Sequence, residues 1–287
     1  GGAHVGAAAL VSAVNHDQPE FLSRITELMQ ASNTGEDIRI FMAGSLFGGT
    51  GAAGFPTIAR MLHQMRAPEN NREIKGDKVR IGGALMLPYF SFGKPEDANA
   101  NVITTPQLLP QARVAVEFYQ SLLKQEGVFD RLYVSGWDKM FELGYHEAGK
   151  ELQRNTALLP ELIGAMSAMD FFTLPMDEVA ADKPQVAARR DPASFGWADI
   201  PANPGLKKTL YNQLGGTLRF ALWWRYRIEP AIDVRGPFGG IKPWLKRLAG
   251  DTDWQVETPE VRIRLKDYSE SRLKWASAMR LFSGGTI

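Results

Sequence analysis

Apolar residues recur along the first part of the chain in two patterns that follow each other in turn. Spacings of three and four residues predict helices, and short continuous apolar runs predict buried strands. The helical pattern covers residues 19–31, 55–64, 107–124 and 151–172, and the strand pattern covers residues 38–43, 79–88 and 128–136. Because helices lie between successive strands, we predict an α/β fold with a mainly parallel, Rossmann-like sheet and helices on both faces.

The pattern changes after residue 173. Five prolines and many small or charged residues over 174–204 predict a linker or long loop. Beyond it, a helix is predicted over 206–228, a strand over the alternating residues 256–265, and a last helix over 269–282. We therefore expect a first domain at 1–173, a linker at 174–204 and a C-terminal α+β region at 205–287.

Composition narrows the class of protein. The chain has 287 residues, of which 44% are hydrophobic and 23% charged, and it has no cysteine. The lack of cysteine excludes disulfides and cysteine chemistry and is typical of a cytoplasmic protein. No run of 18 apolar residues is present, so we expect no membrane span. The four histidines are scattered without metal-ligand spacing, so we expect no protein metal site.

The charge is divided unevenly along the chain. Residues 1–204 contain 18 Lys and Arg against 24 Asp and Glu, and residues 205–287 contain 15 against 8. The net charge of +1 thus combines −6 in the first part with +7 in the second. A basic C-terminal part suits an acidic partner or the acidic part of a neighbouring copy, and it also suits a solvated basic face.

One glycine-rich stretch joins a predicted strand to a predicted helix. Residues 43–60 read AGSLFGGTGAAGFPTIAR. Glycines let a backbone approach a ligand closely, and the N–H groups at a helix N-terminus bind anions. The stretch lacks the Gly-Lys-Ser/Thr of a P-loop and the spacing of the dinucleotide fingerprint. It predicts either a phosphate site or a tight strand-to-helix turn.

This stretch resembles the glycine motif of the tubulin/FtsZ superfamily, GGGTGTG or GGGTGSG. Gly48, Gly49, Thr50 and Gly51 match that motif, whereas Phe47, Ala52 and Ala53 depart from it. The order of the flanking segments agrees over about residues 1–172: GGAHVGAAAL, VRIGGALMLPYFSFG, VFDRLYVSGWDKM and RNTALLPELIGAMSAMDFF each resemble a family segment. The likeness is to the divergent bacterial tubulin-like proteins. The family's first strand and first glycine loop have no counterpart in this sequence.

The resemblance implies a guanine-nucleotide site. GTP or GDP would place its phosphates on Gly48, Gly49, Thr50, Gly51 and Ala52. Further residues implied by the resemblance are Gly1, Gly2 and Ala3 at the γ-phosphate, and Asn155 with Asp138 at the base. Mg²⁺ would be held mainly by phosphate and water.

Hydrolysis is implied less directly than binding. In the family, acidic residues after the central helix act on the nucleotide of the neighbouring subunit. That acidic pattern is missing here, and Asp170, Asp177 and Glu178 are the candidates in the corresponding region. Each is also interpretable as an ordinary solvated carboxylate. The chain is thus a possible GTPase, completed by a neighbouring subunit.

Three functions are compatible with the sequence. The first is a GTP-binding cytoskeletal protein that assembles head to tail into filaments. The second is a non-enzymatic tubulin-fold scaffold that binds a protein partner through its basic C-terminal part, where residues 223–227 read WWRYR. The third is an unrelated α/β enzyme that uses another nucleotide. We do not expect nucleic acid as a partner, because tryptophans in such a stretch pack in helical cores.

Overall fold

The predicted alternation of strands and helices is present in a computed structural model of the chain. The structure describes residues 20–46, 48–67, 69–70, 72–92, 108–137, 141–143, 158–189, 197–230 and 258–282. Its strands are β1 Ile38–Ser45, β2 Val79–Met86, β3 Phe90–Phe92, β4 Arg131–Trp137, β5 Phe141–Leu143 and β6 Gln185–Arg189. Its helices are α1 Glu20–Gln30, α2 Gly49–Arg66, α3 Leu108–Lys124, α4 Leu159–Thr173, α5 Pro204–Trp223 and α6 Thr258–Phe282.

Four strands form a parallel sheet in the order β1-β2-β4-β6. The register pairs Ile38 with Val79 and Ser45 with Met86, so β1 and β2 begin and end level with each other. All carboxyl ends therefore meet at one edge of the sheet, and all amino ends at the other. A separate parallel pair joins the short strands β3 and β5. The predicted α/β fold with a parallel sheet is confirmed.

The main hydrophobic core covers one face of the sheet, here called the α2 face. Helices α1, α2 and α3 bury apolar side chains there against alternate residues of the strands. Phe55 of α2 is central, with ring centroids 5.5 Å from Phe129 and 5.6 Å from Tyr119. Full burial of such a side chain contributes roughly 1.5–3 kcal/mol.

Helix α4 covers the opposite face, here called the α4 face, where Phe171, Tyr133 and Ala84 pack together. Two consecutive glycines of β2 admit one aromatic ring on each face. A Cβ on Gly82 would lie 2.5 Å from the Phe171 ring, and a Cβ on Gly83 would lie 2.6 Å from the Phe55 ring. The glycine pair thus lets helices approach the sheet closely on both sides.

The chain divides into two compact units. The first comprises Gly1–Asn155 with Leu159–Ala202, and the second comprises Thr156–Leu158 with Asn203–Ile287. The segment 174–204, predicted as a linker, contributes the edge strand β6 to the first unit. That prediction missed a strand because QVAAR is short and lies among prolines and charges.

The second unit contains α5 and α6. Asn203 caps α5 by accepting a hydrogen bond from the Leu206 N–H at 2.9 Å, and Pro204 occupies the first turn. The helix continues through Gly215 and Gly216 and ends in a π-helical turn, Trp224–Ile228. Buried Trp224 packs with Ile228, Phe220 and Leu265, where the last of these belongs to α6.

The predicted strand over 256–265 is wrong, because Thr258 begins the long helix α6. The alternation of valine, isoleucine and leucine with charged residues imitates a strand. However, Pro259 stands in the first turn, and Glu260 forms an i,i+4 ion pair with Arg264 at 2.7 Å. Among the residues that the structure describes, the C-terminal region is thus helical rather than α+β.

Helix α2 also begins earlier than expected, at Gly49 rather than near Phe55. Pro56 therefore lies inside the helix and not in its first turn. A proline in a helix interior costs about 3 kcal/mol relative to alanine.

Candidate functional site

The glycine loop lies at the carboxyl edge of the parallel sheet, directly after β1. Beyond the end of the strand, the Leu46 N–H still donates to the Met86 carbonyl at 3.0 Å. Gly48 is the N-cap of α2, in an extended conformation and without a side-chain cap. Ligands of open α/β sheets bind at this edge.

The first turn of α2 is pressed against the last residue of β1. A Cβ on Gly51 would lie 2.7 Å from the Ser45 carbonyl oxygen and 3.1 Å from the Ser45 nitrogen. A Cβ on Gly48 would lie 3.2 Å from the Ser45 hydroxyl. Gly54, one turn further along, has nothing within 4 Å of an added Cβ. Close backbone packing therefore requires glycine at 51 but not at 54.

Backbone donors are available at this turn. The first helical hydrogen bond of α2 runs from the Ala52 N–H to the Gly48 carbonyl at 2.9 Å. The N–H groups of Gly49, Thr50 and Gly51 precede it and have no carbonyl within the helix. No acidic residue stands in the first turn, so the positive end of the helix dipole is not neutralised there.

The neighbouring strand ends present a further polar group. In the register, Ser45, Met86 and Ser135 lie side by side at the carboxyl ends of β1, β2 and β4. The Ser135 side chain is buried, and its hydroxyl has no hydrogen-bond partner among the described residues. The Ser135 carbonyl accepts a hydrogen bond from the Leu87 N–H at 2.8 Å.

A hydrogen bond that the sequence did not predict, here called the Tyr89–Glu161 brace, connects α4 to this edge of the sheet. The Tyr89 hydroxyl donates to Oε1 of Glu161, in the first turn of α4, at 2.9 Å. Burial, and next the charge of Glu161, raise the pKa of the Tyr89 hydroxyl well above its ordinary value. The two residues are 72 positions apart, so no local pattern links them.

The candidate catalytic acids lie away from the glycine loop. Asp170 is buried on the α4 face, where it accepts a hydrogen bond from Tyr133 at 2.7 Å and lies 3.7 Å from Arg131. Asp177 and Glu178 are exposed and follow α4. The segment after them reaches the amino edge of the sheet, where the Ala181 N–H donates to the carbonyl of Asp130 at 2.8 Å.

The phosphate-loop candidates and the acidic candidates thus belong to opposite edges of one sheet. Strand β1 has eight residues, and a rise of about 3.3 Å per residue separates its two ends by about 23 Å. Asp177 and Glu178 therefore do not reach an anion bound on Gly48–Gly51 of the same chain.

The remaining sequence candidates fall elsewhere. Gly1, Gly2, Ala3, Asp138 and Asn155 lie outside the described residues. Within the described ranges, no group of three His, Asp or Glu side chains is placed to hold a metal ion. A magnesium ion at this site would need phosphate and water for most of its ligands.

Fold and site together define an α/β protein with a glycine turn at the carboxyl edge of a parallel sheet. No family model, no curated protein and no solved structure matches the chain. None of the helices that the structure describes is long and apolar enough to span a membrane.

Proposed function

We propose that this chain binds a guanine nucleotide in the manner of tubulin and FtsZ, with the phosphates on the glycine turn Gly48–Gly51. The observation that carries the proposal is the position of this turn. It opens a helix at the carboxyl edge of a parallel sheet and offers N–H groups that precede the first helical hydrogen bond. The tight contact of Gly51 with Ser45 holds those donors in place.

The site suits a phosphate bound with magnesium. The turn itself contributes no basic side chain, since Arg60 is the first one along α2 and is engaged by Glu126 at 2.7 Å. Backbone donors and a bound Mg²⁺ would then share the phosphate charge. Ser135, at the carboxyl end of β4, has a buried hydroxyl that lacks a partner among the described residues.

We further propose that copies assemble head to tail. The acidic candidates Asp177 and Glu178 lie toward the edge opposite the glycine turn. A neighbour stacked along the strand direction would bring its acidic residues to this chain's nucleotide. Such heterologous contacts do not close on themselves and therefore generate open filaments. Hydrolysis would then need the neighbour, and Asp177 and Glu178 are better placed for it than buried Asp170.

The test is a calorimetric titration of the chain with GTP, GDP and ATP in the presence of magnesium. The proposal predicts binding that is selective for guanine nucleotides. Equal affinity for ATP and GTP would contradict the guanine assignment, and no binding of any of the three would contradict the nucleotide site itself.

A second candidate function is a scaffold that binds a protein partner through its basic C-terminal part. Trp223 and Tyr226 are 47% and 68% exposed, beside exposed Arg225 and Arg227. Exposed aromatic and arginine side chains are enriched among binding hot spots. This function predicts that Trp223→Ala with Tyr226→Ala abolishes partner capture in a chain that binds no nucleotide.

A further inference from the structure

Three arginines line up near the amino edge of the sheet on the α4 face. The register pairs Arg39 of β1 directly with Arg80 of β2, and it pairs Arg131 of β4 with Gly82, two residues after Arg80. Arg39 contacts the end of α4, and Gly82 faces the Phe171 ring of α4. Paired residues and residues two apart share a face, so all three side chains project toward the α4 face.

Two of these arginines have acceptors within the chain. Arg39 donates to the backbone carbonyls of Phe171 and Leu174 at the end of α4. Arg131 donates from Nε to the Tyr133 hydroxyl at 2.8 Å and lies 3.7 Å from the Asp170 carboxylate. Both guanidinium groups are therefore used in holding α4 to the sheet.

Arg80 differs from its neighbours. It is partly buried, and its Nε is shielded from solvent without a hydrogen-bond partner among the described residues. Arg39, which carries the same charge, is its register partner on the parallel neighbour β1, and like charges repel each other. The guanidinium fork is suited to a bidentate oxyanion, and because Nε is shielded, an oxyanion from outside the chain would bind at Nη1 and Nη2.

The glycine turn lacks a positively charged side chain, which is the group that Arg80 could supply. It offers backbone donors but has no lysine or arginine in its first two turns, residues 49–56. Six strand positions separate Arg80 from Met86, a span of about 20 Å, so Arg80 cannot reach the turn of its own chain. A copy stacked on the carboxyl edge would instead bring its own amino edge, with its own Arg80, to that turn.

We propose that Arg80 binds the phosphate oxygens of the nucleotide held on the glycine turn of the adjacent copy. This inference rests on the proposed nucleotide site and on head-to-tail assembly. Arg80 then makes assembly depend on a bound phosphate, because it gains its acceptor only at the interface between copies.

The first experiment compares Arg80→Ala and Arg80→Lys with the wild-type chain. GTP affinity is measured by calorimetry at a concentration below that of assembly, and assembly is measured by sedimentation with GTP and magnesium. We expect affinity in the dilute sample to change less than about 2-fold, because Arg80 does not touch the nucleotide of its own chain. We expect the lowest chain concentration that assembles to rise at least about 10-fold for Arg80→Ala, because one pair of charged hydrogen bonds is lost. For Arg80→Lys the rise should be smaller. Arg113→Ala, an exposed arginine on α3, is the matched control.

The second experiment mixes two defective variants. Arg80→Ala keeps its glycine turn, and Gly51→Ala, which disturbs the turn, keeps its arginine. One complete interface then forms between the intact turn of an Arg80→Ala chain and the Arg80 of a Gly51→Ala chain. At the free ends of that pair, the first chain lacks the arginine and the second has a disturbed turn, so neither end can form a complete interface. Sedimentation velocity should show a one-to-one pair and no longer species.

The outcomes separate the inference from the proposed function. A wild-type chain that binds no guanine nucleotide overturns both. Normal GTP binding with assembly that Arg80→Ala leaves unchanged overturns only the inference. Normal GTP binding without any assembly overturns the inference and the proposed head-to-tail assembly, but leaves the nucleotide site standing. A large loss of GTP affinity for Arg80→Ala in the dilute sample also overturns it, because the arginine would then act within its own chain.

Discussion

Two buried tyrosines of the first unit differ in what their hydroxyl groups contact. The Tyr133 hydroxyl donates to Asp170 at 2.7 Å and accepts from Arg131 at 2.8 Å. The Tyr119 hydroxyl is buried without a hydrogen-bond partner among the described residues. Burial raises the pKa of both hydroxyl groups, and in Tyr133 the hydrogen bond to Asp170 adds to that shift. The pair therefore forms an internal comparison of a satisfied and an unsatisfied buried hydroxyl.

We predict that Tyr133→Phe lowers the free energy of unfolding by about 1–3 kcal/mol, because it leaves the Asp170 carboxylate buried with one donor fewer. Tyr119→Phe is the control and should leave stability unchanged or slightly higher. Urea unfolding of both variants measures the difference. Equal losses for the two would show that the Asp170 network does not stabilise α4.

His63 makes the stability of the first unit depend on pH. Burial, and next the charge of Arg66, lower the pKa of His63 below its ordinary value. The folded chain thus binds this proton less readily than the unfolded chain does. The contribution of neutral His63 to the free energy of unfolding is therefore fully present above the unfolded pKa of about 6.5. It is lost as the pH falls through the lower pKa of the folded chain.

We predict that His63→Gln flattens the decline of stability between about pH 7 and pH 5, since glutamine does not titrate. Urea unfolding at a series of pH values compares the variant with the wild-type chain. If the two curves run parallel through this range, His63 does not contribute to acid sensitivity.

At the scale of elements, the contact between β1 and the end of α4 depends on one side chain. Arg39 donates to two carbonyls at the helix C-terminus, Phe171 and Leu174. A cation that bonds the last carbonyls also interacts favourably with the helix dipole. Arg80, its neighbour on β2, lies on the same face, but its Nε has no hydrogen-bond partner among the described residues.

We predict that Arg39→Met lowers the free energy of unfolding by about 1–3 kcal/mol, because charged hydrogen bonds to partly buried carbonyls are lost. Arg80→Met, the matched control, should be close to neutral. Thermal and urea unfolding measure both. A larger loss for Arg80→Met than for Arg39→Met would contradict the assignment of their partners.

The elements themselves were predictable where the hydrophobic period was strong. Strand β1 and helices α1 and α3 lie close to their predicted ranges. Strand β6 was missed because an edge strand of five residues has little hydrophobic signal. Helix α6 was mistaken for a strand in part because alternation over 256–265 outweighed the helix-start signal of Thr258, Pro259 and Glu260.

At the scale of the whole molecule, long-range contacts decide the site. The position of the glycine turn at a sheet edge followed from the order of strand, loop and helix. The Tyr89–Glu161 brace and the row of Arg39, Arg80 and Arg131 did not, because each depends on sheet register and on residues far apart in sequence. Sequence spacing also could not show that Asp170 is buried, whereas Asp177 and Glu178 are exposed.

The two edges of the sheet give the first unit a direction. The backbone N–H groups that open α2 stand at the carboxyl edge, and Arg80, whose Nε has no described partner, stands near the amino edge. In the proposed assembly, repeating this unit along the strand direction would place the glycine turn of one copy against the Arg80 edge of the next. This polarity belongs to the sheet as a whole and to no single residue.

The most direct test of the nucleotide site uses two glycines of one helix. Gly51→Ala would place a Cβ 2.7 Å from the Ser45 carbonyl oxygen, whereas Gly54→Ala meets nothing within 4 Å. Both changes add the same methyl group, and alanine is favoured over glycine inside a helix by roughly 0.5–1 kcal/mol. Only the first shifts the donors of the turn.

The measurement is a calorimetric titration of GTP with magnesium into the wild-type chain and both variants, after thermal unfolding has shown that each is folded. We predict that Gly54→Ala binds as the wild-type chain does and that Gly51→Ala binds at least about 10-fold more weakly, a loss of about 1.4 kcal/mol. GTP binding that is equally strong in all three chains would place the nucleotide elsewhere and contradict the account.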